Sequence, residues 1–343
     1  MTMTSLLAWI NAAITFGTII MLGSVGEILT EKSGNLNLGV PGIMYLGAIG
    51  ALAGAFFYEN GNPAPNGVIS MCISLLCALI ASGLGGLLYC FMTVTLRANQ
   101  NVTGLTLTIF GSGVANFFGG SLVKLSGGVG QISVAAASSV YRAQIPVLSK
   151  NFGIFSTIFF SYGFLTYTAI IIALCAGWFL KKTRAGLNLR AVGENPATAD
   201  AAGINVTKYK YLATTIGAMI EGLGGVYYVM DYIKGTWDTG GGIEALGWLA
   251  VALVIFTSWK PISAIWGSFV FGLCYWVYLY IPAGISQVLA KALGTANPSH
   301  MQNLYRMIPY LVTIVILIIV SKRKRRENQN PQSLGISYFR EER

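Results

Sequence analysis

The sequence predicts an all-α protein, a polytopic transmembrane helix bundle of about nine spans with a broken segment near residues 30–42. Three observations lead there. Charged residues make up 10% of the 343-residue chain and apolar residues 54%, whereas a soluble domain carries about 25% charged residues. The charges are clumped, and the gaps between them are long enough for helices that cross hydrocarbon, which takes about 20 residues each. The 42 glycines sit among Leu, Ile, Phe and Ala with no three-residue period, which excludes collagen and disordered linkers.

Taken in order, uncharged runs cover 1–26, 33–58, 60–96, 98–123, 151–180 and 261–290, and each can hold one span. Residues 211–231 give another, interrupted by Glu221. The runs 245–259 and 307–321 are shorter and borrow flanking residues such as Arg306, whose long side chain can reach the interface. The first run lacks a basic start and a small-residue cleavage site, so 5–29 is expected to be a retained span and not a signal peptide. Residues 1–321 then form one transmembrane domain with a cytoplasmic loop at 181–210, and 322–343 form a basic cytoplasmic tail.

Basic residues set the orientation, because they concentrate in cytoplasmic loops. With the run 322–326 inside, nine spans put the N-terminus outside, leaving 16 Lys and Arg on inner segments and six on outer ones. Such cations could also bind nucleic acid. They flank apolar spans, however, and no aromatic or RNA-binding motif accompanies them. The expected neighbours are the headgroups of a cell-membrane bilayer, and no nucleic acid is expected.

Two connections are long. Residues 121–156 hold Gly127, Gly128, Gly130 and Pro146, which suits an ordered outer loop or short helix without a catalytic signature. The loop at 181–210 holds a small helix with its own punctuation: Asn195 as N-cap, Pro196 at the first helical position and Gly203 just past the end. A helix of about two turns is marginal in water. It must therefore pack against this chain or against a partner, and both readings stand.

Between the first two spans, residues 30–42 join two apolar stretches through polar, Gly and Pro residues, Asn35 and Asn37 among them. This is how a discontinuous helix looks in sequence, although a turn at the membrane surface fits equally. Pro41 can start the next helix and leave first-turn amides free to face a polar solute. A weak echo at an offset of 170 relates 45–58 to 215–228, as repeats in transporters do and as packed small residues do too. Glu221 near the middle of its span and Asp231 at the far end are the ionisable groups at depth, which are costly and face a cavity or a partner. For Glu221 the bland reading is a neutral or hydrogen-bonded side chain against Gly222, Gly224 and Gly225.

Three stretches carry a resemblance. EKSGNLNLGVPGIMYLGAIGA at 31–51, LRAVGENPATADAAGINVTKYKYL at 189–212 and EALGWLAVALVIFTSWKPISAIWGSFVFG at 244–272 resemble permease subunits of ATP-binding cassette importers. The group is the branched-chain amino acid, ribose and simple-sugar class, and the nucleoside importers fed by basic-membrane-protein-type lipoproteins look closest. The resemblance implies that Glu194, Asn195, Pro196, Asp200, Ala201, Gly203 and Ile204 couple the chain to an ATPase. It also implies that Asn35, Asn37, Glu221 and Trp248 lie along the translocation path. Glu221 departs from the small residue expected there.

No phosphate-binding GxxxxGK[ST] loop occurs, so ATP is expected on a partner subunit and no cofactor in this chain. The expected partners are an ATP-binding cassette ATPase, a second related permease and a substrate-binding lipoprotein. Three rival classes stand beside this one, and the channel among them would need a selectivity ring, of which none is legible. An ion-coupled secondary transporter would use Glu221 or Asp231. An intramembrane enzyme would need paired carboxylates or metal ligands, and the lone His300 and five scattered Cys supply neither a catalytic nor a metal site.

Overall fold

The computed structural model describes residues 3–125, 127–129, 131–144, 157–280, 305, 307–308, 311–312, 314–315, 318 and 329–339. Among these the chain is helical apart from turns and one isolated bridge between Ser133 and Thr236. In chain order the helices are α1 (Met3–Glu31), α2 (Val40–Asn60), α3 (Gly67–Cys90), α4 (Gln100–Leu125), α5 (Ala135–Tyr141) and α6 (Phe164–Lys182). There follow α7 (Arg184–Glu194), α8 (Pro196–Ala201), α9 (Val206–Val226), α10 (Gly242–Phe256) and α11 (Pro261–Tyr280). Single π-helical stretches extend α3 over Phe91–Thr95 and α9 over Tyr227–Tyr232.

Five of these helices, α1, α2, α3 with its extension, α4 and α6, are long and apolar enough to cross a membrane, and α10 and α11 are shorter apolar helices. The nine expected spans are thus met by five clear ones among the described residues. The shortfall has a physical cause. The segment at 211–231 exists as α9, but Lys208, Lys210 and Glu221 lower its mean hydropathy, and α10 has 15 residues. His300, Pro146, the basic run 322–326 and part of the span expected at 307–321 lie outside the described residues.

Side-chain caps set where several helices begin. Asn66 accepts from Val68 N at 2.9 Å, Thr183 from Gly186 N at 3.0 Å and Asn205 from Lys208 N at 2.9 Å, each taking up an orphan first-turn donor. The long connection at 121–156 holds a short helix, α5, and Glu59 at the end of α2 accepts from its Ala137 N at 2.8 Å.

The core forms where α1, α2, α3 and α9 press together. Small residues allow the approach. Gly47 of α2 meets the backbone of Gly222, and Gly225 of α9 meets the Met44 carbonyl, so a Cβ at either position would collide with main chain. The two echoing segments 45–58 and 215–228 therefore lie on helices that touch.

The connections α1–α2, α3–α4, α6–α9 and α10–α11 gather at one end of the bundle. Leu36 N donates to Gln100 Oε1 at 2.7 Å, Trp259 Nε1 donates to Glu31 Oε2, and Gly193 packs on Lys32 and Gly34. Residues 331–339 lie at this same end, where Gly335 N donates to Gly34 O at 3.2 Å. Tyr280 lies at the other end, stacked on Trp9 with ring centroids 6.1 Å apart.

Candidate functional site: a broken segment braced against a loop helix

The chain leaves helical geometry after α1 and re-enters it at Val40, with Pro41 in the first turn of α2. Between them Ser33, Asn35 and Asn37 are completely buried. Non-helical backbone away from water must find partners within the protein, and here it does. Asn37 N donates to Glu27 Oε1 at 3.1 Å, and Gly39 N to Asn37 Oδ1 at 2.8 Å. Tyr89 OH donates to Leu36 O at 2.6 Å, and Thr108 Oγ1 to Leu38 O at 3.0 Å. Asn35 Nδ2 donates to Thr214 Oγ1 of α9 at 2.9 Å. The sequence had suggested free amides at the start of α2. Those bonds take up Asn37 N and Gly39 N, which precede α2, and among the described residues no side chain caps the first turn of α2.

Behind the segment sits a carboxyl cluster. Glu27 and Glu221 are both completely buried and lie within hydrogen-bonding reach of each other, with Glu31 a turn further along α1. No N–H or hydroxyl among the described residues reaches either Glu221 oxygen, so the Glu221 carboxyl rests against Gly26 and Glu27 rather than among the glycines of its own helix. Asn35, Asn37 and Glu221 thus belong to one buried neighbourhood. Trp248 stands apart on α10, with 37% of its surface exposed. Asp231 lies in the π-helical stretch after α9, in contact with Gly163. Among the described residues no group of three His, Cys, Asp or Glu is placed to hold a metal ion.

The loop helix α8 carries the punctuation read from its sequence. Asn195 Oδ1 accepts from Thr198 N at 3.0 Å, Pro196 opens the helix, and Gly203 follows it at φ +83°. Positive φ suits glycine, which has no Cβ to clash. Ala199 faces inward onto Val192 and Val206, while Glu194, Asn195, Thr198, Ala201 and Gly203 are exposed and Asp200 and Ile204 are half-buried. Replacing Asn195 by Ala removes a cap worth about 0.5–2 kcal/mol. The expected outcome is faster amide hydrogen exchange confined to α8, with α7 and α9 unchanged; uniform protection would show that packing alone holds the helix.

Two groups join the loop to the broken segment. Lys32 and Glu194 face a common cavity of about 430 Å³ with Arg190 and Lys260. Burial pushes the Lys32 ammonium below its ordinary pKa, and the Glu194 carboxylate opposes that shift. The second is the chain's own end. Ser333 gives both its hydroxyl (2.6 Å) and its amide (3.1 Å) to Gly193 O, and Tyr338 OH donates to Asp200 Oδ2 at 2.9 Å.

Sequence reasoning missed Glu27, Trp259, Ser333 and Tyr338. Glu27 stands four residues before Glu31, one helical turn, which was the available signal. Trp259 lies within the stretch at 244–272, and Ser258 and Trp259 both have positive φ, which turns the indole toward Glu31. For Ser333 and Tyr338 there was no local signal.

Residues 9–317 match the family described as branched-chain amino acid transport system / permease component. A putative glucose ABC transporter permease protein of Haloferax volcanii is 30% identical, covering 97% of each chain. The guanosine ABC transporter permease protein of Bacillus subtilis is 30% identical over 97% of each chain. A nucleoside ABC transporter permease protein of Lactococcus lactis is 29% identical over 95% of this chain and 94% of its own. With matches that run nearly end to end, the chain belongs to the branched-chain amino acid transport system permease family and is a permease of the ATP-binding cassette type.

Proposed function

We propose that this chain forms one side of the translocation path of an importer for a nucleoside, or failing that a simple sugar, and that ATP is bound and hydrolysed by a separate ATPase docked on α8. The observation that carries the reading is α8 itself. One side of this six-residue helix is locked to α7, α9 and residue 338, and the other side presents Thr198 and Ala201 to solvent. A mere connector needs no such bracing. The names of the relatives support nucleoside or sugar as the solute.

The end of the bundle that bears α8 is the cytoplasmic one in this reading, because Lys181, Lys182, Arg184, Arg190, Lys208 and Lys260 gather there. Met3 then starts outside, and the chain crosses the cell membrane nine times, an odd number that suits Tyr280 and Ser333 standing at opposite ends of the bundle. The path runs past Trp248, and Asn35, Asn37 and Glu221 border it when the broken segment moves. A second, related permease and a substrate-binding lipoprotein complete the assembly, and the basic tail after residue 321 stays in the cytoplasm.

Reconstitution in liposomes tests this. The full set of subunits should import labelled nucleoside only with ATP inside, and the lone chain should neither hydrolyse ATP nor transport. Import of glucose but not nucleoside would replace the solute assignment. Import by the lone chain that follows an ion gradient and ignores ATP would overturn the reading in favour of secondary transport through Glu221 or Asp231.

A further inference from the structure

Beside α8 lies a groove of about 800 Å³ between the end of α3 and the start of α9, with Thr93, Arg97, Asp200, Lys208, Lys210 and Tyr338 on its walls. Its chemistry is one-sided. Lys210 opens into the groove yet shows only 3% of its surface, and no carboxylate among the described residues pairs with it. Burying an ammonium without a counter-charge is costly, so the site is complete only when an anionic group enters. Asp200, the carboxylate among the described wall residues, accepts the Tyr338 hydroxyl on its Oδ2 and does not bond Lys210. Lys208 stands exposed at the rim, and the Arg97 guanidinium lies 4.5 Å from the centroid of the Phe339 ring, which fixes that wall.

Residues 331–339 shape this groove. They run from Gly193, where Ser333 is bound, to Asp200, where Tyr338 is bound, and so connect the broken segment, α8 and the α3–α4 turn in one strap. The strap holds Asp200 to one side and keeps the groove beside the exposed face of α8 open.

We propose that this groove is a second docking point for the ATPase, distinct from α8, and that it receives an acidic side chain of that subunit against Lys210, with Lys208 steering its approach. The proposal rests on the reading that an ATPase docks on α8. Contiguity with the exposed α8 face favours a protein carboxylate: a partner seated on Thr198 and Ala201 covers the groove mouth. Truncating one member of a buried charge pair at an interface is expected to weaken binding by at least about 30-fold, and a rim charge acts mainly on association rate and salt dependence.

The test measures affinity between the full-length permease in nanodiscs and its ATPase over a range of salt concentrations. Lys210→Met, which keeps the length and loses the charge, should weaken binding at least about 30-fold and flatten its salt dependence; Lys210→Arg should retain most of the affinity. Lys208→Glu, at an exposed position that the fold does not depend on, should slow association, which keeps the proposal testable if Lys210→Met fails to fold. Wild-type affinity and salt dependence for both lysine variants, with Ala201→Trp unable to bind, would overturn the groove and leave α8 as the docking site. Wild-type binding by Ala201→Trp as well would overturn the reading beneath it. Saturable protection of Lys210 from acylation by inorganic phosphate, with ATPase affinity unchanged in Lys210→Met, would assign the groove to a free anion and overturn the proposal.

Discussion

Gly225→Leu is expected to abolish the folded protein in the membrane, whereas Gly113→Leu leaves it at wild-type level. Both are glycines within apolar helices, so composition and propensity do not distinguish them. Packing does. A Cβ at Gly225 would run into the Met44 carbonyl and then the Ala48 amide of α2, while a Cβ at Gly113 meets nothing within 4 Å. The obstacle at 225 is main chain, which cannot rotate aside as a side chain can. Overpacking costs about 1–3 kcal/mol where side chains can shift, occasionally more. Here α2 and α9 must separate, and with them Gly47 from Gly222 and Asn35 from Thr214. The loss is therefore expected to exceed that range. Gly225→Ala gives the graded version, a lower thermal midpoint of the detergent-solubilised chain with some folded protein remaining. Monodisperse protein at wild-type yield for Gly225→Leu would show that the two helices do not cross as closely as described.

What the sequence made legible depended on how local each feature is. The N-cap at Asn195, the proline at 196 and the glycine at 203 act within one helix, so their spacing alone located α8 to the residue. The interruption between the first two apolar stretches was visible as well, but its polar, Gly and Pro residues fitted a turn at the membrane surface as well as a discontinuous helix. The partners of that segment were not visible. Glu27 ends a long apolar run, and nothing in its neighbours says that Asn37 N would reach it or that Glu221, far along the chain, would lie against it. The same holds for Ser333 and Tyr338, which bind residues separated from them by 140 and 138 positions. Five of the nine expected spans are clear among the described residues for a related reason: a charge-free run measures what could cross a membrane, whereas α9 keeps two lysines and a glutamate with Lys210 and Glu221 buried inside the bundle.

Ala201→Trp is expected to separate ATP hydrolysis from uptake. Ala201 is exposed at the end of α8, so an indole there can lie in solvent and the permease should insert and purify as the wild type does. What it meets is the partner. A small side chain on an exposed helix face permits close approach, and filling that approach with an aromatic ring costs about 1–3 kcal/mol where two packed surfaces must part, or about 5- to 150-fold in affinity. Uptake should fall further than binding does, because a displaced α8 transmits ATPase movement poorly even while docked: its routes inward include the packing of Ala199 on Val192 and Val206 and the strap at Ser333 and Tyr338. Ala199→Trp supplies the contrast. Ala199 has 3% of its surface exposed and packs on Val192 and Val206, so tryptophan there should unfold the loop and lower the amount of protein itself. The measurements are co-purification of the ATPase, hydrolysis stimulated by the binding protein in nanodiscs, and uptake in liposomes from the same preparations. Wild-type values of all three for Ala201→Trp would make α8 a surface connector, and the ATP-driven reading would then rest on the family match rather than on α8.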